Sequence, residues 1–153
     1  MLETIRDLQR FTSTTPSPED TPDAGRPRRP ARTPEDLHVL IEDAFNRGDL
    51  DACLDVYEDD ATLVVPPDGR VVHGRDDIRA ATAPLFALKP RMTMTVRKKL
   101  EGDGLALTHG RWELAANDTD GSPLHMTGRG TMVSRRHPDG TWGVVLDDPL
   151  SPE

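Results

Sequence analysis

Residues 105–147 read LALTHGRWELAANDTDGSPLHMTGRGTMVSRRHPDGTWGVVLD. Two turn signals, NDTDG at 117–121 and RHPDG at 136–140, divide this stretch into three runs in which apolar and polar residues alternate. The pattern predicts strands over Leu105–Ala116, Leu124–Ser134 and Thr141–Asp147. A further strand precedes them, with Met92, Met94 and Val96 in alternation, and EGDG at 101–104 turns the chain between the two. Connections this short join antiparallel neighbours, so the C-terminal half reads as a meander.

Working outward toward the N-terminus, the pattern changes from period two to helical spacing. Thr33-Pro34-Glu35-Asp36 supplies a hydroxyl N-cap, a proline at the first helical position and an acid at the third. Leu37, Leu40, Ile41, Ala44 and Phe45 follow as one apolar stripe until Gly48. Asp49 caps a second, short helix with the stripe Leu50, Cys53, Leu54 and Tyr57, ending at Asp59 and Asp60. Ala61–Val65 and Arg70–His73 form a hairpin around the Pro66-Pro67-Asp68-Gly69 turn. After Gly74, Asp76 caps a third helix carrying Ile78, Ala81, Leu85 and Phe86, and Pro84 is expected to kink or end it. Helices first and strands last, without β-α-β alternation, describe an α+β protein with helices packed on one face of an antiparallel sheet.

At 153 residues the chain has room for one domain with a single core. The net charge of −8 repels phosphate backbones and argues against nucleic acid as the partner. No apolar run approaches the roughly 18 residues a membrane span needs. Met1–Arg10 is interrupted by Glu3, Arg6 and Asp7 and lacks the apolar run of an export signal, so a cytoplasmic protein is expected. Cys53 is the one cysteine and can make neither an internal disulfide nor a thiolate metal site by itself. Residues 12–33 are rich in Thr, Ser, Pro, Asp and Arg, and residues 1–32 are expected to form a disordered leader before a domain over 33–150. The run Arg26, Arg28, Arg29 and Arg32 is interleaved with proline and lacks aromatics, so it reads as solvated linker.

Four strings in this order carry a family resemblance: NRGDLDA at 46–52, YEDDAT at 57–62, HGRDDI at 73–78 and PDGTWGVVLD at 138–147. Together they resemble the NTF2-like superfamily in its SnoaL-like and DUF4440 branch, over about residues 33–150. The resemblance implies a curved sheet wrapped around helices as a cone, an interior cavity open at one end, and a homodimer formed through the sheet. It does not by itself imply a chemistry. In the ketosteroid isomerases of this superfamily the base is an early-strand aspartate, the oxyanion hole a first-helix tyrosine with a protonated late-strand acid. Those positions fall here at Val65, Ile41 and near Gly130, none of which moves a proton. The final-strand aspartate of the SnoaL-like polyketide cyclases corresponds to Asp147, while its histidine partner would fall near Gly130. The limonene-type epoxide hydrolases place an arginine between two aspartates; beside Asp147, neither Arg111 nor Arg129 has a second strand carboxylate at a recognisable spacing.

Asp147 is thus the aligned acid–base candidate, and a carboxylate in a pocket wall gains basicity from burial. Its orientation turns on parity. Trp112, Leu114, Leu124, Met126, Met132, Trp142, Val144 and Leu146 carry even numbers and share one face if both connecting turns keep parity. Asp147 then points away from that face, whereas a one-residue shift in the last hairpin brings it inside. His109, beside Arg111 and Trp112, is the second candidate, since a neutral imidazole can act as acid or base. Tyr57, Phe86, Trp112, Met126 and Met132 are candidate ligand-lining residues, with Trp112 and Met126 neighbours in the simplest register. No His pair has metal-ligand spacing, and no dinucleotide or phosphate-binding fingerprint is present, so neither metal nor cofactor is expected. Two classes remain: a domain that binds a small apolar metabolite, and a cofactor-independent isomerase, polyketide-cyclase-like enzyme or hydrolase using Asp147. A cavity with a buried acid favours the enzyme; a filled cone favours a scaffold.

Overall fold

The structure, a computed structural model, describes residues 29–152. The leader expected over residues 1–32 lies outside the described residues as far as residue 28. Packing begins before Thr33: Ala31 is buried and its carbonyl accepts from the Trp142 amide at 3.0 Å. Helix α1 spans Pro34–Arg47, α2 Leu50–Asp55 and α3 Arg75–Ala87; the strands are β1 Tyr57–Val65, β2 Arg70–His73, β3 Arg91–Gly102, β4 Leu105–Asn117, β5 Pro123–Arg136 and β6 Trp142–Asp148. They form one curved sheet in the order β2-β1-β6-β5-β4-β3, with the helices on one face. The expected antiparallel pairings are present, and a parallel pairing of β1 with β6 joins the early hairpin to the late meander.

Helix α1 starts as its sequence dictates. Thr33 Oγ1 accepts from the Asp36 amide while Asp36 Oδ2 accepts from the Thr33 amide, a reciprocal capping box. Gly48 ends the helix at φ 71°, a left-handed conformation that costs glycine little. Leu37, Ile41, Ala44 and Phe45 are buried, and the helix is pinned to the edge strand β3 by side chains. Asn46 Oδ1 accepts from the Met92 amide at 2.7 Å, its Nδ2 donates to the Met92 carbonyl at 3.0 Å, and Glu42 Oε2 accepts from the Met94 amide at 2.7 Å. These bonds satisfy edge groups that would otherwise invite another strand.

Two local expectations need correction, and a third is narrowed. Helix α2 ends at Asp55, and Tyr57 opens β1 instead of closing the helical stripe. Gly74, at φ 82°, holds the N-cap of α3 without a side-chain bond, and Asp76 lies in the first turn. Pro84 does not end α3, which continues to Ala87.

Strand β6 contains the feature that decides the site. Val144 pairs with Ser134 and Leu146 with Val133, so Val145 is an extra residue with no partner on β5, a β-bulge. Trp142 and Val144 are buried among the core residues, whereas Leu146 is 46% exposed. The even-numbered face therefore breaks within this strand, and Asp147 turns inward beside its register partner Met132.

Candidate functional site

Between the helices and the concave sheet face lies a cavity of about 360 Å³, with a predominantly apolar wall. Helix α1 contributes His38, Ile41 and Phe45, while Met92, Met94, Trp112, Leu114, Met126 and Met132 form the sheet wall. Pro66, Pro67, Pro84, Leu85, Leu88, Leu124 and Pro149 add further apolar surface.

Asp147 is set in this wall, and the Tyr57 hydroxyl donates to its Oδ2 at 2.6 Å. Tyr57 is held from behind: its carbonyl accepts from Arg75 Nε at 2.9 Å and Nη2 at 2.7 Å, and Arg75 Nη1 also pairs with Asp59 at 3.2 Å. Burial raises the Asp147 carboxyl from 3.8 to about 6; the Tyr57 hydrogen bond pulls it down, and the nearby Asp148 charge pushes it up. Burial, reinforced by the Asp147 charge, pushes the Tyr57 phenol well above its ordinary value, so the phenol keeps its proton and donates it. Cys53 also lines the cavity, but burial, with Asp147 and Asp49 nearby, pushes its thiol up and leaves it protonated. The pair can hold or transfer one proton near neutral pH, in predominantly apolar surroundings.

The wall depends on a glycine-backed tryptophan. A Cβ on Gly128 would stand 2.6 to 2.7 Å from the Trp112 indole, and one on Gly130 would stand 3.7 Å from its Cδ1. The ring thus lies over the bare backbone of β5, and its Nε1 donates to the Pro149 carbonyl at 2.7 Å. Trp112 pairs with Gly128 and Leu114 with Met126, so Trp112 and Met126 are diagonal neighbours on adjacent strands, and both line the cavity.

Tyr57, Trp112, Met126, Met132 and Asp147 are brought together around the cavity. Phe86 is not: it is buried behind the wall against Phe45, with ring centroids 4.2 Å apart. His109 alternates with the inward Thr108 and lies exposed on the outer face, where its Nδ1 meets Thr131 Oγ1 at 3.1 Å. Ile41, Val65 and Gly130, the positions empty of proton-transfer groups, all line the cavity. Sequence reading missed His38, which is 7% exposed, lines the cavity and lies 2.8 Å from Thr108 Oγ1 through its Nε2. Its position one helical turn before Ile41 was the available signal. Among the described residues no group of three His, Cys, Asp or Glu side chains could hold a metal ion, and no helix is long and apolar enough to cross a membrane.

The fold agrees with what comparison finds. The model of the SnoaL-like domain matches residues 40–142. The chain belongs to the SnoaL-like domain family, within the NTF2-like fold. An NTF-2 like protein of unknown function from Shewanella oneidensis is 24% identical, with 76% of this chain and 95% of that one covered at a TM-score of 0.64. A ketosteroid isomerase-like protein from Erwinia carotovora atroseptica is 19% identical over 77% and 94%, at 0.65. A conserved protein from Planctomyces limnophilus is 16% identical over 76% and 91%, at 0.68. At these identities the likeness is one of fold. No curated protein matches the chain.

Proposed function

We propose that this protein is a cofactor-independent enzyme that moves a proton on a small, mostly apolar molecule, with Asp147 as general acid–base. One observation carries the reading: a carboxyl raised to about 6 and bonded to a tyrosine hydroxyl at 2.6 Å stands in a predominantly apolar cavity wall. A pocket built only to hold an apolar molecule gains nothing from a desolvated acid, whereas a general base works best with a pKa near the working pH. Ionised Asp147 takes a proton from a substrate carbon or hydroxyl and returns it elsewhere, which suits isomerase, cyclase or hydrolase chemistry. Tyr57 positions the carboxylate and tempers its basicity through their hydrogen bond. Tyr57, Trp112, Met126 and Met132 would hold the apolar body of the substrate; His109 and Phe86 are not part of this reading.

The test begins with mass spectrometry of the supernatant of denatured protein, to identify a co-purifying molecule. That molecule is then incubated with the protein in D₂O and followed by proton NMR. Exchange of a substrate proton or conversion with the wild type, lost in Asp147→Asn while binding persists, is expected. Binding with neither exchange nor conversion leaves the noncatalytic ligand-binding domain as the reading.

We further infer a homodimer through the outer sheet face. Leu100, Leu107, Val133 and Leu146 are successive register partners across four strands and make one aliphatic row on that face. Leu100 is 56% exposed and Leu146 46%, which is costly for a row left in water. A cytoplasmic setting belongs to the same reading, since the single buried Cys53 requires no oxidising compartment.

A further inference from the structure

His38 stands apart from the Tyr57–Asp147 pair and has no part in the proton transfer described above. Its ring is buried and lines the cavity, and among the described residues Thr108 is its one hydrogen-bond partner. The Thr108 hydroxyl donates to the Met132 carbonyl at 3.4 Å, so its oxygen is left to accept from His38 Nε2–H at 2.8 Å. That chain of bonds puts the ring proton on Nε2 and leaves Nδ1 a bare acceptor. Burial lowers the ring pKa to about 4, which keeps the imidazole neutral and the acceptor available at neutral pH.

The sheet register fixes how far this acceptor lies from the acid. Thr108 pairs with Met132 and Met132 with Asp147, so the three lie in one row across adjacent strands. Two strand spacings separate Thr108 from Asp147, on the order of 10 Å. Met132, between them, is 2% exposed and offers only an apolar side chain to a ligand. The cavity therefore presents an acid–base pair at one place, an apolar floor, and the His38 ring, held by Thr108, two strands away.

We propose that His38 Nδ1 is a specificity-determining subsite that accepts a hydrogen bond from a hydroxyl group remote from the reacting end of the ligand. The preferred ligand is then an elongated, rigid, mostly apolar molecule with polar groups at both ends. The inference rests on the cavity being the ligand site, as proposed above, and adds the chemistry of the far end. A buried acceptor discriminates strongly, because an apolar group placed against it leaves it unpaired.

Two naphthols test it. 2,6-Dihydroxynaphthalene carries a hydroxyl at each end, and 2-naphthol lacks one; both are titrated calorimetrically into the wild type and into His38→Gln. The glutamine amide can still donate to Thr108 but supplies no acceptor at the Nδ1 position, and thermal unfolding checks that the variant is folded. The wild type should bind the diol at least tenfold more tightly than 2-naphthol. In His38→Gln that preference should vanish. Nitrogen-15 spectra of the wild type should show the Nε2–H tautomer, with an Nδ1 resonance that moves on adding the diol and not on adding 2-naphthol. Equal affinities in the wild type, a preference that survives in the variant, or a protonated Nδ1 would overturn the subsite alone. If neither naphthol binds, the cavity reading falls and takes the subsite with it.

Discussion

Tyr57 and Asp147 are ninety residues apart in the chain, yet the hydroxyl of one donates to the carboxylate of the other at 2.6 Å. Two features produce the contact. Strand β1 runs parallel to β6 with Tyr57 beside Val144, and the bulge at Val145 turns Asp147 to the side that Tyr57 occupies. Arg75 grips the Tyr57 carbonyl with two N–H groups and fixes where the phenol begins.

The first expectation concerns the pH dependence of the reaction. If Asp147 is the base, kcat/KM for the identified substrate rises with pH through about 6, as the carboxyl ionises. Tyr57→Phe removes the hydrogen bond that holds this carboxyl down, so the rising limb moves to higher pH. Asp147→Asn lowers turnover by roughly 10² or more with affinity nearly intact. An unmoved limb in Tyr57→Phe would show that the limb belongs to another group.

A second expectation is thermodynamic, and the two buried groups act in opposite directions. The Asp147 carboxyl rises from 3.8 to about 6 on folding, so its contribution is present below 3.8 and lost as pH rises through 6, roughly 3 kcal/mol in all. The His38 ring falls from 6.5 to about 4, so its contribution is present above 6.5 and lost as pH falls through 4, by a similar roughly 3 kcal/mol. Relative to the wild type, Asp147→Asn should gain stability as pH rises from 4 to 6.5, and His38→Gln should gain as pH falls over the same range. Urea unfolding at several pH values gives both differences; parallel curves would contradict them.

Gly128→Ala tests the backing of the wall. The new methyl would stand 2.6 Å from Trp112 Cζ2, so the indole must leave its seat and its bond to the Pro149 carbonyl. A loss of about 1–3 kcal/mol is expected from such overpacking. Red-shifted tryptophan emission should accompany it, and an unchanged spectrum and stability would show that the ring has room to spare.

The aliphatic row on the outer face makes the last expectation. Leu107→Glu places a carboxylate at an inner position of the Leu100–Leu107–Val133–Leu146 row and should convert a dimer into the 16.9 kDa monomer by sedimentation equilibrium. A wild type already monomeric at micromolar concentration removes the dimer.

Much of this architecture was legible because it is written in local signals. The Thr33–Asp36 capping box, the Gly48 stop and the turns at 101–104, 117–121 and 136–140 are chemical statements about their own backbone. Tyr57 was misplaced because its spacing continues the stripe of Leu50, Cys53 and Leu54, and nothing local says that the helix closes at Asp55. The side that Asp147 faces could be posed but not answered, since Trp142, Val144 and Leu146 keep perfect alternation while the backbone does not. His38 was hidden for a different reason: its partner Thr108 is seventy residues away, and a lone histidine in a helix shows its neighbour only after folding.

The extra residue at Val145 also ties together two properties that usually change independently. By turning Asp147 toward the cavity, it turns Leu146 toward the opposite side, into the outer row. Closing the bulge at unchanged length, so that Val145 pairs with Val133 and Leu146 with Met132, would exchange the two: the leucine would enter the cavity and the carboxylate would join the aliphatic row. One such register slip would therefore remove the acid from the cavity and spoil the assembly surface together, while conservative point substitutions at either position would leave the other intact. Lineages that keep the acid through this strand geometry should keep the outward apolar residue beside it as a linked character.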